Sequence, residues 1–194
     1  HVKRELAPVE AGRFFVHGSH DADLVPEGAE ALLIEAAMAF GTGHHATTRG
    51  CLLALDRLID QDISPHRIVD VGAGTAVLAM AAARVFPVIV LAGDIDPVAV
   101  DTARANVIAN GLDGRVECVE AAGFDHPMID DNAPYDLVFA NILKQPLIDL
   151  AFRFVNPVEV ARVRVERDGA ALVLQQLIAE EPGPAAQHHR RPLV

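Results

Sequence analysis

Three stretches of this chain hold residues whose types and spacing suit chemistry. The first is DVGAGTA, residues 70 to 76. It follows an apolar run and opens a helical pattern. Gly72 and Gly74 let the backbone turn tightly and approach a ligand closely. Asp94 ends the next apolar run, 22 positions after Gly72. A carboxylate there can accept both hydroxyls of a ribose, so the pair suits an adenosine-bearing cofactor. The second stretch is FAN, ending at Asn141. The amide oxygen of Asn141 can accept from an amine and keep its lone pair aimed at a methyl group. Capping of the following helix is the alternative role. The third is AFGTGHHATT, residues 39 to 48, just before an apolar helix.

The spacing of the glycine turn bears on which cofactor is bound. The dinucleotide fingerprint G-x-G-x-x-G would put its third glycine at Val77, which disfavours a dehydrogenase. The G-x-G-x-G turn of S-adenosylmethionine enzymes would put it at Ala76, a small departure. Asp96 and Pro97 read as a helix start, so the ribose falls to Asp94 and the cap to Asp96. His44 and His45 are adjacent, so they do not share a helix face, and no carboxylate sits at ligand spacing. No metal is expected. Phe40 suits the core or a cofactor face equally.

These residues need elements to carry them. Cys51, Leu52, Leu55, Leu58 and Ile59 recur at helical spacing and predict a helix from about 47 to 60, capped or begun by Thr47 or Thr48. RFFVH (13–17) reads as a strand and HGSHDADLVPEG as a loop. Residues 29–40 suit a helix or a buried strand. Strands are then expected at 67–72, 87–94, 115–120 and 135–141. Helices are expected at 75–86, 97–110 and 144–154. Such alternation predicts an α/β fold with a doubly wound, mostly parallel sheet. Residues 158–177 suit a hairpin turning at Asp168-Gly169, or an extended helix followed by a strand at 170–176. The second is the favoured reading. The tail 179–194 reads as disordered.

Composition narrows the classes further. Half of the 194 residues are hydrophobic, enough for a sizeable core. The formal charge of −11 argues against nonspecific grip on nucleic-acid phosphates. Cys51 and Cys118 are too few and too far apart for a disulfide framework, and Cys51 reads as a buried, inert thiol. With so few cysteines a reducing compartment is the default, no stretch has the length of a membrane span and none reads as a signal peptide. The chain begins at His1 and reads as an excerpt.

Taken together, AFGTGHHATTRGCL, VDVGAG, GDIDPVAVDTARANVIANG and DLVFANILKQPLIDLA resemble the PrmA-type methyltransferases. These enzymes methylate protein eleven of the large ribosomal subunit. The resemblance covers residues 10 to 152. It implies a class I, Rossmann-like fold that uses S-adenosylmethionine. It also implies methyl transfer to lysine ε-amines and the N-terminal α-amine of that ribosomal protein. By position, it implies that Thr48, Gly72 and Asp94 contact the cofactor, with Asn141 at its methyl-acceptor end. Gly41 and Gly43 then become pivots of a flap. The expected organisation is a linker, extension and flap at 1–45, a methyltransferase domain at 46–178 and the tail beyond. The family's small N-terminal recognition domain is expected to be largely absent. The antiparallel end of the sheet is expected to be missing or altered, since DGAALVLQQLI resembles only the start of the family's fifth strand. A small-amine methyltransferase and a non-catalytic fragment that binds the cofactor are the alternatives.

Overall fold

Apolar strands alternating with helices bury both faces of a sheet when the strands run parallel. A computed structural model has that arrangement and describes residues 7–34, 44–142, 162–165 and 171–174. In chain order its elements are β1 (Val9–Ala11), β2 (Phe14–His17), a 3-10 helix (Ser19–Leu24), β3 (Glu30–Leu33) and α1 (His44–Asp60). Then come β4 (Ile68–Val71), α2 (Val77–Val85), β5 (Val90–Asp94), α3 (Pro97–Ala109) and β6 (Val116–Glu120). A single helical turn, α4 (Pro127–Asp130), leads to β7 (Leu137–Ala140). Last are β8 (Arg162–Val165) and β9 (Ala171–Leu174).

The main sheet has the order β6-β5-β4-β7-β9-β8. β4 to β7 run parallel to their neighbours among themselves. The chain steps outward from β4 to β5 and β6, then returns to place β7 on the other side of β4. That reversal leaves a crevice at the carboxyl ends of β4 and β7, where open α/β sheets bind ligands. One face of the sheet, with Ile68, Ala92 and Phe139, packs with α1, α2 and α3 in the main core. The other face, with Val69, Leu91 and Val138, is covered by Phe124, Ile129 and Tyr135 from the β6–β7 connection. Residues 77–83 of α2 are all buried, and four of these seven are alanines, which lets the helix lie close to its neighbours.

β1, β2 and β3 form a separate small sheet, antiparallel then parallel. Phe14, Val16, Leu32 and Ile34 extend from it into the main core. Arg13 Nε donates to Asp56 Oδ1 on α1 at 2.5 Å. Asn110, at the end of α3, accepts from Leu33 N–H at 2.9 Å and donates to Leu33 O at 2.8 Å. Its amide therefore pairs with β3 as a neighbouring strand would.

Three expectations change. The helix expected from 47 begins at His44, so Thr47 and Thr48 are its fourth and fifth residues and do not precede it. The loop at 18–25 contains the 3-10 helix. The favoured extended helix before residue 170 is replaced by a hairpin, since β8 pairs antiparallel with β9. The reason is legible in ARVRVE, where valine alternates with arginine at the period of a strand. Ala171–Leu174, which resembles the start of the family's fifth strand, does lie beside β7 but runs antiparallel to it. The helix expected at 144–154, the flap glycines Gly41 and Gly43, Phe40 and the tail 179–194 fall outside the described residues.

Candidate functional site

Gly72, Asp94 and Asn141 come to one level at the carboxyl ends of β4, β5 and β7. Asp70 is in register with Ala92 on one side and Phe139 on the other, and each site residue lies two positions further along its strand. The turn after β4 needs its glycines. Gly72 has φ 68° and Gly74 has φ 55°, a region L side chains seldom adopt. A Cβ at Gly72 would strike the Ile142 side chain, whereas one at Gly74 would meet nothing within 4 Å. Gly72 therefore serves packing, and Gly74 faces open space. The N–H groups of Gly72 and Ala73 donate to Gly93 O at 2.8 and 3.0 Å, which ties the turn to β5.

Asp94 does more than end a strand. Its Oδ2 accepts from Gly74 N–H at 2.8 Å and its Oδ1 from Asp96 N–H at 3.0 Å. A carboxylate has about four lone-pair sites, so each oxygen retains capacity for a hydroxyl donor. Asp96 has the cap role expected of it. It accepts from Val98 N–H at 2.9 Å, with Pro97 in the first turn of α3. Between and after these acids stand Ile95 and Val98, 71% and 70% exposed. Apolar side chains left in water beside a hydroxyl acceptor suit the flat face of a base.

Thr48 and Asn141 are 93 residues apart in sequence, yet Asn141 Nδ2 donates to Thr48 Oγ1 at 3.2 Å. Thr48 is buried and Asn141 half-buried. The bond joins the N-terminal part of α1 to the end of β7, and it uses the amide nitrogen, so the Asn141 oxygen is not taken up by Thr48. All four residues expected at the site thus lie at strand ends or on the helix turn bonded to one of them.

The sequence reading passed over Asp70 and Ile95. Asp70 is 1% exposed, on the strand face that carries Ile68 into the main core. Its Oδ2 accepts from Ala79 N–H at 3.1 Å. That bond matters because Ala76, which caps α2, has no side-chain oxygen to offer. Burial pushes the Asp70 carboxyl up to about 7, with the Ala79 N–H opposing and the Asp94 charge adding. The signal was an acid at an inward position of an otherwise apolar strand, IVDV. For Ile95 it was an isoleucine enclosed by two acids in a loop.

Among the described residues, no group of three or more His, Cys, Asp or Glu could hold a metal ion. Among them also, no helix is long and apolar enough to cross a membrane.

A family model described as ribosomal protein L11 methyltransferase (PrmA) matches residues 1–162. The chain is 48% identical over 151 residues to a ribosomal protein L11 methyltransferase of Brucella abortus (strain S19), covering 78% of this chain and 53% of that protein. A protein of the same description from Mesorhizobium japonicum is 51% identical over 146 residues, which is 75% of this chain and 50% of the relative. The chain thus spans about half the length of the curated relatives it matches. A crystal structure of ribosomal protein L11 methylase from Lactobacillus delbrueckii subsp. bulgaricus has a TM-score of 0.66 at 20% identity, covering 88% of this chain and 100% of that one. This likeness establishes the doubly wound α/β fold.

Proposed function

The chain belongs to the ribosomal protein L11 methyltransferase (PrmA) family, and from that premise we propose that it binds S-adenosylmethionine and methylates amino groups of a large-subunit ribosomal protein. The supporting observation is the convergence of the glycine turn, Asp94 and the Thr48–Asn141 pair at the switch point of the sheet. The residues fit the cofactor. Gly74 leaves open space beside the turn for its amino-acid part. Asp94 retains acceptor capacity for the ribose hydroxyls, and Ile95 and Val98 offer apolar surface to adenine. Thr48 meets the cofactor from the α1 side. When bound, S-adenosylmethionine supplies an electrophilic methyl group on a sulfonium.

The chain's own residues then orient the acceptor. With its Nδ2 engaged by Thr48, Asn141 presents its oxygen to an amine N–H and aims the lone pair along the attack line. A lysine ε-amine or N-terminal α-amine is nucleophilic only when neutral. Withdrawal from water as the substrate docks lowers its pKa toward that state. On this reading the methyltransferase unit is 46–178, flanked by the extension 1–45 and the tail 179–194, and it works in the bacterial cytoplasm.

Calorimetry with S-adenosylmethionine tests the cofactor. Asp94→Ala is expected to weaken binding by roughly 10- to 100-fold, the loss of about one charge-assisted hydrogen bond worth about 1.5–3 kcal/mol. Asp96→Ala should cost less. No heat at millimolar cofactor, or a larger effect from Asp96→Ala, would sink this assignment. Comparing methyl transfer to the ribosomal protein with transfer to a panel of small amines tests the substrate class. Exclusive turnover of small amines would replace the protein substrate with a small one.

A further inference from the structure

The buried residues of α3 are Val100, Ala103, Asn106 and Val107. Steps of three and four put them on one face of the helix, and the other three are apolar members of the main core. Asn106 is 3% exposed. A buried side-chain amide is costly unless it is hydrogen-bonded, so packing alone would favour an apolar residue there. The amide instead reaches a carbonyl of the glycine turn: Asn106 Nδ2 donates to Thr75 O at 3.1 Å. The earlier part of the turn is held through its N–H groups. Gly72 and Ala73 donate to Gly93 O and Gly74 donates to Asp94 Oδ2, all from the side of β5. The Thr75 carbonyl belongs to the peptide that joins Thr75 to Ala76, and the N–H of that peptide donates to Ala73 O at 2.8 Å. A planar peptide bonded at both ends has a fixed orientation. That orientation sets the backbone of Ala76, which has φ 59° and ψ 22°. Left-handed backbone is unfavourable for an alanine and persists where surrounding bonds over-determine it.

We propose that Asn106 is a positioning residue of the cofactor site, holding the Thr75–Ala76 peptide so that Ala76 stays left-handed and the glycine turn keeps the shape that receives the cofactor. The proposal rests on the S-adenosylmethionine reading above. Asn106 is buried on α3 and acts through the Thr75 carbonyl. Without its donor the peptide is free to turn and Ala76 to relax toward negative φ. The relaxed turn takes Gly74 N–H out of line with Asp94 and moves the backbone that faces the crevice. The cofactor must then restore the turn as it binds, and that cost is subtracted from affinity. Ala76→Gly removes the steric cause, since glycine takes positive φ about as readily as negative. A fault made at position 106 is therefore repaired at position 76, which a purely structural role for Asn106 does not predict.

Calorimetry with S-adenosylhomocysteine, run beside urea melts, separates positioning from stability. Asn106→Leu keeps a side chain of similar size and removes the donor. Its Kd is expected to rise about 5- to 30-fold, the equilibrium penalty of a left-handed alanine. Ala76→Gly alone should bind within about threefold of wild type, and the double variant within about threefold of Ala76→Gly. Asn110→Ala is the control on the same helix, since it loses bonds to β3 and none to the turn. It should lower the melt and yet bind within about twofold of wild type. The wild-type protein supplies a second measurement that stands whether or not a variant folds. The side-chain amide protons of Asn106 should exchange more slowly once S-adenosylhomocysteine is bound, because a turn that favours the cofactor is favoured by it in return. Those of Asn110 should keep their rate. Undiminished affinity in Asn106→Leu, a loss that Ala76→Gly leaves in place, an equal loss in Asn110→Ala, or unchanged exchange at Asn106 would each overturn the proposal while leaving the cofactor assignment intact. Failure of the wild type to bind would remove the cofactor assignment and this proposal together.

Discussion

Ala76 has φ 59° and is fully buried. A left-handed alanine costs about 1–2 kcal/mol, and a buried methyl contributes about 0.8 kcal/mol. The two nearly cancel. Ala76→Gly is therefore expected to change stability by less than about 1 kcal/mol. Ala76→Val combines β-branching, positive φ and overpacking, and should cost roughly 3 kcal/mol or more. Urea melts of the two variants check this, and equal losses would contradict it. The Thr48–Asn141 bond makes a second prediction at this scale. Thr48→Val and Asn141→Ala should be non-additive in turnover, because either change removes the same bond. Thr48→Ser should retain most of the activity. Additive losses in the double-mutant cycle would mean that the two residues act separately. The placement of Gly72, Asp94 and Asn141 at neighbouring strand ends was legible in the sequence because apolar runs and their limits carry a local signal. Asp70 was not, because its meaning depends on which face of β4 meets the core.

At the scale of elements, the small sheet is held to the larger body by a few specific groups. Asn110 completes β3 from the end of α3 with two hydrogen bonds and also donates to Asn106 O at 2.8 Å. Asn110→Ala leaves both backbone groups of Leu33 without this partner. The expected cost is about 2–3 kcal/mol, with faster amide exchange at Leu33. A melt matching wild type, with Leu33 still protected, would show that water replaces the side chain at no cost. The parallel strands β4 to β7 were readable because apolar runs alternated with helical patterns. The hairpin of β8 and β9 was harder to read, since ARVRVE suits one face of a helix as well as a strand. What decides between them is long-range, namely the pairing of Leu137 to Ala140 with Leu174 to Ala171. The same limit hid the pairing of Asn110 with Leu33, which are 77 residues apart.

For the whole molecule, Asp70 couples the fold to pH. Its carboxyl is raised from 3.8 to about 7 in the folded chain, so between those values the folded state holds a proton the unfolded state has lost. The stability this group contributes is complete below about pH 4 and is lost as pH rises to about 7. The span corresponds to an effect on the order of 4 kcal/mol. Other carboxylates titrate across the same range, so the informative quantity is wild type minus Asp70→Asn. That difference should decline from pH 4 to pH 7 and level off above, in denaturant melts at fixed ionic strength. A difference independent of pH would place the titration elsewhere.

The hairpin also imposes an order of assembly. β9 lies between β7 and β8 although it follows both in the chain. As the polypeptide leaves the ribosome, β7 is complete roughly thirty residues before its neighbour on that side has been translated. Until then its outer row of peptide groups has no partner from β9, and a nascent chain in that condition presents the kind of edge that chaperones cover and stray strands adhere to. Among the described strands the last to be synthesised is an interior one, so the side of β7 away from β4 and the crevice acquires its neighbour only well after β7 itself has left the ribosome.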